Sequence, residues 1–305
     1  MKMKTTTLLI ISCGLLSTGW LEQANAAKKE NDIPQGKEFI YKHTKGKPQA
    51  LEVYFPKDHD PSTAKVPCVL LFHGGGWGNG DLDTFRYDCQ YFASRGLVAA
   101  TANYYMVPTA DRNKLPAGTS RKSFCITDAK SAIRWMKQHA GELGIDPQRM
   151  IVGGGSAGGH ISILSTTNPG LNDPTDSKEF DTSVAAYVLF NPALSGGDAK
   201  YPEVDALNYL KAGFPPAIVF FGTEDGWKKG WDTAHEKLNT LGAGDRIHLW
   251  MAEGKKHAFF NQQPWKDLVL IEADHFLVSL GLLEGEPTLE PPIGSALVEQ
   301  RRKKQ

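Results

Sequence analysis

Cysteine is scarce in this chain. There are four among 305 residues, in no C-x-x-C pair and no His/Cys cluster, so the sequence implies no metal. Charge of one sign is lacking too: lysine plus arginine and aspartate plus glutamate balance at 34 each. A general nucleic-acid footprint or a polybasic membrane patch is therefore not expected. The leading apolar run, Leu8 to Leu16, falls short of the roughly 20 residues a transmembrane helix needs. The G-x-x-x-x-G-K-[ST] and G-x-G-x-x-G spacings of phosphate-cradling loops are absent. No internal repeat or linker divides the chain. What is present is an ordinary globular composition, 41% hydrophobic and 22% charged, enough for a large core in one domain.

The first residues follow the three-part pattern of a secretory signal peptide. Lys2 and Lys4 precede the apolar run, and Ala24-Asn25-Ala26 supplies an A-x-A cleavage site. Residues 1–26 are expected to be removed on export to the periplasm or beyond. Ile10-Ile11-Ser12-Cys13 resembles a lipoprotein box, but apolar residues continue past Cys13, which favours cleavage after Ala26 over lipid anchoring. Cys68, Cys89 and Cys125 remain, an odd number that permits one internal disulfide at most. Cys68 stands in an apolar strand and reads as a buried hydrophobe. A Cys89–Cys125 bond is conceivable, though sequence gives no distance.

Residues 27–285 read as the catalytic domain and 286–305 as a flexible tail rich in proline and, at its end, in charge. Phe39 to Phe55 reads as two strands about a Lys45-Gly46-Lys47-Pro48 turn. Val66–Phe72 is a continuous apolar run, the signature of a strand covered on both faces. Similar runs recur at Leu97–Ala102, Met150–Val152, Val184–Phe190, Ala217–Phe221 and Ile247–Met251. Helical patterns lie between them, at Thr84–Ser94, Ser123–Ala140, Trp231–Leu241 and Trp265–Leu280. This alternation predicts an α/β fold with a mostly parallel central sheet flanked by helices.

Two glycine clusters carry the chemistry. Gly154-Gly155-Ser156-Ala157-Gly158 is a G-x-S-x-G motif between an apolar strand and a helical pattern, the context of a nucleophile elbow. Small neighbours let a sharp strand-to-helix turn present the serine hydroxyl at a helix N-terminus, where developing negative charge is favoured. His73-Gly74-Gly75-Gly76-Trp77 follows the strand Val66–Phe72. Acyl transfer needs preorganised donors for an oxyanion; the N–H groups of Gly75, Gly76 and Ala157 suit that role. His73 reads as a loop-fixing residue rather than a proton carrier.

These motifs resemble α/β-hydrolase serine esterases of the H-G-G-G-W/G-G-S-A-G-G type, including hormone-sensitive-lipase-like carboxylesterases and acetyl-xylan-esterase-like proteins, over roughly Phe39 to Leu280. The resemblance implies an α/β-hydrolase fold and a nucleophile, acid and base in that chain order. It places the nucleophile at Ser156, the acid at Asp225 in Gly222-Thr223-Glu224-Asp225, and the base at His257 in Gly254-Lys255-Lys256-His257. Asp225 and His257 also follow apolar strands at the edge where active-site loops gather. Glu224 is the rival acid. His160, beside the elbow, is expected to pack or hydrogen-bond there. Tyr104-Tyr105 stands where many relatives have Tyr-Arg, and no large cap domain is visible, because the residues after Ala27 read as loop and then strands.

The expected activity is hydrolysis of short acyl esters, acetyl foremost, on a small molecule or polysaccharide, with no metal or organic cofactor. Formamidases, other amidases and peptidases share the triad, and a non-catalytic carbohydrate-binding protein would share the fold; matched ester, formamide and peptide substrates separate these readings. Asn103–Lys122, Thr167–Ser183 and Asn191–Pro215 are expected to overhang the site. Trp77, Tyr104, Tyr105 and Trp227 are either flat aromatic faces at its rim or simple packing.

Overall fold

A computed structural model describes residues 36–300; the proposed leader with Cys13, the residues up to 35 and the last five residues lie outside the described residues. Nine strands form a single sheet: β1 (Lys37–Thr44), β2 (Lys47–Tyr54), β3 (Val66–Phe72), β4 (Val98–Ala102), β5 (Ile145–Gly155), β6 (Ala186–Phe190), β7 (Ala217–Gly222), β8 (Ile247–Ala252) and β9 (Leu297–Glu299). Their spatial order is β1-β2-β4-β3-β5-β6-β7-β8-β9. From β4 to β8 every pairing is parallel, and antiparallel pairings close the two edges. This is the mostly parallel sheet that the alternating pattern predicts and the α/β-hydrolase arrangement that the resemblance implies.

The helices of nine residues or more are α1 (Arg86–Ser94), α2 (Arg121–Gln138), α3 (Ala157–Thr167), α4 (Lys228–Thr240) and α5 (Trp265–Ser279). Period-2 alternation in the strands assigns each side chain to one of two apolar layers. Along β3, Leu70 and Phe72 pack with Ile133 of α2, Ile161 of α3 and Trp231 of α4. Val69 and Leu71 pack with Phe92 of α1 and Leu277 of α5. Burial on both faces is why the central strands are apolar throughout. Each fully buried aliphatic side chain contributes about 1.5–3 kcal/mol.

Helix boundaries shift where side chains cap the backbone. The segment before α1 begins as a 3-10 turn, Leu82–Phe85, because the Asp81 carboxylate accepts the Asp83 N–H at 3.0 Å. Helix α2 starts at Arg121, ahead of the expected Ser123, because the Ser120 hydroxyl accepts the Lys122 N–H at 3.3 Å. Helix α3 has no polar face, as its position beneath the elbow requires: nine successive residues, Ala157 to Ser165, are buried.

Two expectations are corrected. The stretch beyond Gly285 is not simply a flexible tail, since Leu297–Glu299 pairs antiparallel with β8 and Glu299 bonds His248 Nδ1 at 2.9 Å. A three-residue strand is too short to leave a periodic signal. The conceivable Cys89–Cys125 disulfide is absent. Both thiols are free and buried, and they lie in different apolar layers. Burial raises the Cys68 thiol to about 12 and pushes the other two up as well, so none is a ready nucleophile. Denatured without reductant, the protein should therefore alkylate fully at Cys68, Cys89 and Cys125; mass spectrometry showing a protected pair would contradict this packing.

Candidate active site

The junction of β5 and α3 is built by close approach. A side-chain carbon on Gly154 or on Gly158 would overlap the Phe72 carbonyl oxygen, so both positions exclude any larger residue. Ser156 itself sits at φ 54°, ψ −116°, a conformation L-residues rarely adopt. It is held there by its N–H, which donates to Phe190 O at 2.9 Å, and by its carbonyl, which accepts from His160 N at 3.2 Å and Ala193 N at 2.9 Å. Strain of this kind costs about 1–3 kcal/mol and persists only where the surroundings fix it.

Loops after β7 and β8 bring the other expected residues to this serine. The Ser156 hydroxyl donates to His257 Nε2 at 2.8 Å. His257 Nδ1 lies 2.8 Å from Asp225 Oδ2; a carboxylate only accepts, so Nδ1 carries the proton. The Asp225 side chain is fully buried, and its second oxygen accepts the Trp227 N–H at 2.9 Å. Glu224 is exposed and lines the cleft instead. Ser156, Asp225 and His257 thus meet in one chain of hydrogen bonds, which can pass a proton from hydroxyl to imidazole and hold the resulting cation beside a carboxylate.

The loop after β3 runs directly against Ser156: a carbon on Gly74 would stand 3.3 Å from its Cβ. Tyr104 Oη donates to His73 O at 2.8 Å and Gly74 O at 3.1 Å, and His73 Nδ1 donates to Gly74 O at 2.8 Å. Gly75 O accepts from Gly78 N and Asn79 N. The carbonyls are thus engaged, whereas among the described residues the Gly75 and Gly76 N–H groups have no hydrogen-bond acceptor. Ala157 N–H, at the first position of α3, has no preceding helical turn to accept it. Burial lowers the His73 pKa, so its ring stays neutral and fixes the loop.

Beneath that loop lies a network that the sequence does not reveal. Trp77 Nε1 donates to His160 Nδ1 at 3.2 Å, and His160 Nε2 donates to Val204 O at 2.9 Å. These two bonds require the neutral imidazole. Burial, helped by the charge of Lys122, lowers the His160 pKa to about 3. Lys122 sits 3.6 Å above the Trp77 ring and 2.5 Å from Asp198. Trp77 and Tyr104 are therefore buried packing residues rather than rim aromatics. Tyr105 packs edge-on to Phe124 at 5.8 Å. Trp227 remains at the rim, its ring 6.2 Å from that of His257. It lines an open cleft of about 720 Å³ with Leu194, Ser195, Glu224, Lys256 and His257. The segment from Thr167 to Ser183 does not overhang this cleft, for Asn172 and Asp176 bind Lys130, Ser131 and Arg134 of α2.

One positioning residue was missed. Asn191, buried at φ 38°, donates through Nδ2 to Phe190 O at 2.7 Å and accepts the Ala258 N–H at 2.8 Å. It ties the end of β6 to the residue after His257. Its trace in the sequence is an Asn-Pro pair directly after a strand, Asn191-Pro192, since asparagine tolerates positive φ.

The mostly parallel sheet and the sharp turn between β5 and α3 define an α/β-hydrolase fold, with a hydrogen-bonded Ser-His-Asp chain at its strand ends. Comparison with known proteins agrees. The BD-FAE family model matches residues 51–191, a span that ends before Asp225. Esterase LipI of Mycobacterium tuberculosis is 35% identical over 118 residues, 38% of this chain and 33% of that protein. The carboxylic ester hydrolase LipM of the same organism is 33% identical over 149 residues, 48% of this chain and 32% of that protein. The chain thus spans about a third of the length of these curated relatives. Thermogutta terrifontis esterase 2, solved phosphorylated by paraoxon, is 33% identical over 84% of this chain and 98% of that one, with a TM-score of 0.74. The same esterase has been solved with propionate bound, at 32% identity over the same shares and a TM-score of 0.73. This chain belongs to the α/β-hydrolase carboxylesterase family.

Two measurements test the site. Asp225→Asn should lower kcat by about 10⁴ while Glu224→Gln stays within a few fold; the reverse order would make Glu224 the acid. For His160 the folded pKa lies below the unfolded value of about 6.5, so its neutral form stabilises the fold fully above that pH. The contribution is lost as pH falls from 6.5 toward 3, by about 3 kcal/mol at pH 4. Urea unfolding at pH 7 and pH 4 should show a smaller difference for His160→Gln than for the wild type.

Proposed function

We propose that this protein is a carboxylesterase that removes short acyl groups, acetyl foremost, from a bulky alcohol such as a polysaccharide after export from the cytoplasm. The single observation that carries the chemistry is the unbroken chain from Ser156 Oγ through His257 to Asp225 at 2.8 Å each step. Ser156 attacks the ester carbonyl as His257 Nε2 takes its proton. Asp225 keeps the imidazole in the required tautomer and stabilises its charge. The Gly75, Gly76 and Ala157 N–H groups receive the oxyanion. His257 then protonates the departing alcohol, and a water activated by the same imidazole releases the acid from Ser156.

The acyl and alcohol preferences rest on separate supports. The cleft beside His257 is open, with glycine, serine, threonine and charged residues around Leu194 and Trp227, unlike the enclosed apolar tunnel that a long acyl chain needs. Thermogutta terrifontis esterase 2, which has been solved with propionate and with butyrate, is a relative for which short acids are bound species. Export is supported by Lys2, Lys4, the Leu8–Leu16 run and Ala24-Asn25-Ala26, and Edman sequencing of the native protein should begin at Ala27.

Ser156→Ala should fold normally and lose at least about a thousandfold in p-nitrophenyl acetate turnover; near wild-type rates would refute the assignment. Across an acyl series from acetyl to decanoyl, the rate should peak at the short end, with acetate released from acetylated xylan. A maximum at octanoyl or longer, without acetate from the polymer, would favour a lipase instead.

A further inference from the structure

The chain as a whole carries balanced charge, yet the approach to Ser156 does not. A second cleft of about 410 Å³, lined by Arg112, Arg121, Lys122, Asp198 and Lys200, adjoins the one beside His257, and Ser195 borders both. Lys229 and Lys256, both exposed, line the cleft beside His257. Asp198 is engaged by Lys122 at 2.5 Å. That leaves Glu224 as the one cleft-lining carboxylate not held by a cation.

Two of the cations are packed together without an anion. A carbon on Gly78 would overlap the Arg112 guanidinium and stand 3.2 Å from Arg121 Nη1, so both head groups converge over the oxyanion loop. Arg121 Nη2 donates to Gly76 O at 2.9 Å and Arg112 Nε to Val107 O at 3.4 Å. Among the described residues neither meets a carboxylate. Burial and the neighbouring Arg112 charge lower the Arg121 pKa from its ordinary value. Two half-buried guanidinium forks beside Gly78 repel each other, and each makes a single hydrogen bond to a backbone carbonyl. Such a pair is stabilised when a carboxylate, which matches the fork with two oxygens, lies between them.

We infer that the substrate is an acidic ester, one whose alcohol portion bears a carboxylate that Arg112 and Arg121 hold while the acyl group is at Ser156. A uronic acid within a polysaccharide and a small hydroxy acid share this chemistry. The inference rests on the esterase reading of the site and adds the charge of the group esterified.

The test uses two aryl acetates, the anion 4-acetoxybenzoate and its neutral methyl ester, with release of acetate as the readout for both. With the wild type, the charged ester should have the lower KM, and added salt should raise that KM while leaving the neutral one unchanged. Arg112→Gln should raise the KM of the charged ester about tenfold and leave kcat and the neutral ester's KM within about twofold. Calorimetry on Ser156→Ala protein reads affinity without turnover, and should show tighter binding of the charged ester. Acetylated polygalacturonate set against acetylated xylan separates the sources: preference for the acidic polymer assigns the carboxylate to a polysaccharide, and selectivity confined to 4-acetoxybenzoate assigns it to a small acid. Equal binding of both benzoate esters by Ser156→Ala, or an Arg112→Gln effect of the same size on each, overturns the inference. Selective binding together with no turnover of either ester by the wild type would instead refute the esterase reading and leave the anion site standing.

Discussion

The Phe72 carbonyl, at the end of β3, lies where a side chain on Gly154 or Gly158 would have to go, and the rest of the site depends on that approach. Strands β3 and β5 are parallel neighbours with Phe72 opposite Gly154. The Ser156 turn and the Gly74–Gly76 loop therefore leave the sheet side by side, and sheet register, not loop flexibility, sets the distance between Ser156 and Gly74. The strained conformation of Ser156 is affordable only in such a frame. It is flanked by a helix buried along most of its length and by strands buried on both faces, so the backbone has no room to relax.

Much of this was legible because the relevant signals are local. A strand buried on both faces must be apolar throughout, which is why β3, β4, β6 and β7 stand out as continuous runs. Glycines at strand ends mark close approach, and Asp225 and His257 each follow an apolar strand. The illegible parts are those decided by partners distant in sequence. Leu297–Glu299 becomes a strand through pairing with β8. Trp77 and Tyr104 turn inward because His160 and the His73–Gly74 backbone meet their polar atoms. The separation of Cys89 from Cys125 follows from which face of the sheet α1 and α2 cover. Periodicity says which residues share a face; it does not say what lies opposite.

Charge and neutrality are sorted by depth around the loop. His160, in the lowest layer, is held neutral by two hydrogen bonds that fix its tautomer. Lys122 and Asp198 pair just above, with the ammonium over the Trp77 ring. The unpaired cations Arg112 and Arg121 come last, half-exposed. A charge in the lowest layer would face full desolvation beside the Lys122 ammonium, with Asp198 already engaged by that lysine. The same charge at the cleft mouth keeps its hydration and remains available to a ligand.

The proposed oxyanion donors share one further trait that connects backbone packing to chemistry. Each N–H belongs to a peptide unit whose carbonyl accepts two hydrogen bonds. For Gly75 N–H the carbonyl is Gly74 O, taken by His73 Nδ1 and Tyr104 Oη. For Gly76 N–H it is Gly75 O, taken by Gly78 N and Asn79 N. For Ala157 N–H it is Ser156 O, taken by His160 N and Ala193 N. Donors on a carbonyl polarise the whole amide, and hydrogen bonds in such chains reinforce one another. They also fix each peptide plane, so the N–H groups need no reorientation when negative charge develops. The contacts that fold the loop are thereby the contacts that strengthen its donors, which explains why buried residues such as Tyr104 and His73 carry polar atoms so close to a site they do not themselves enter.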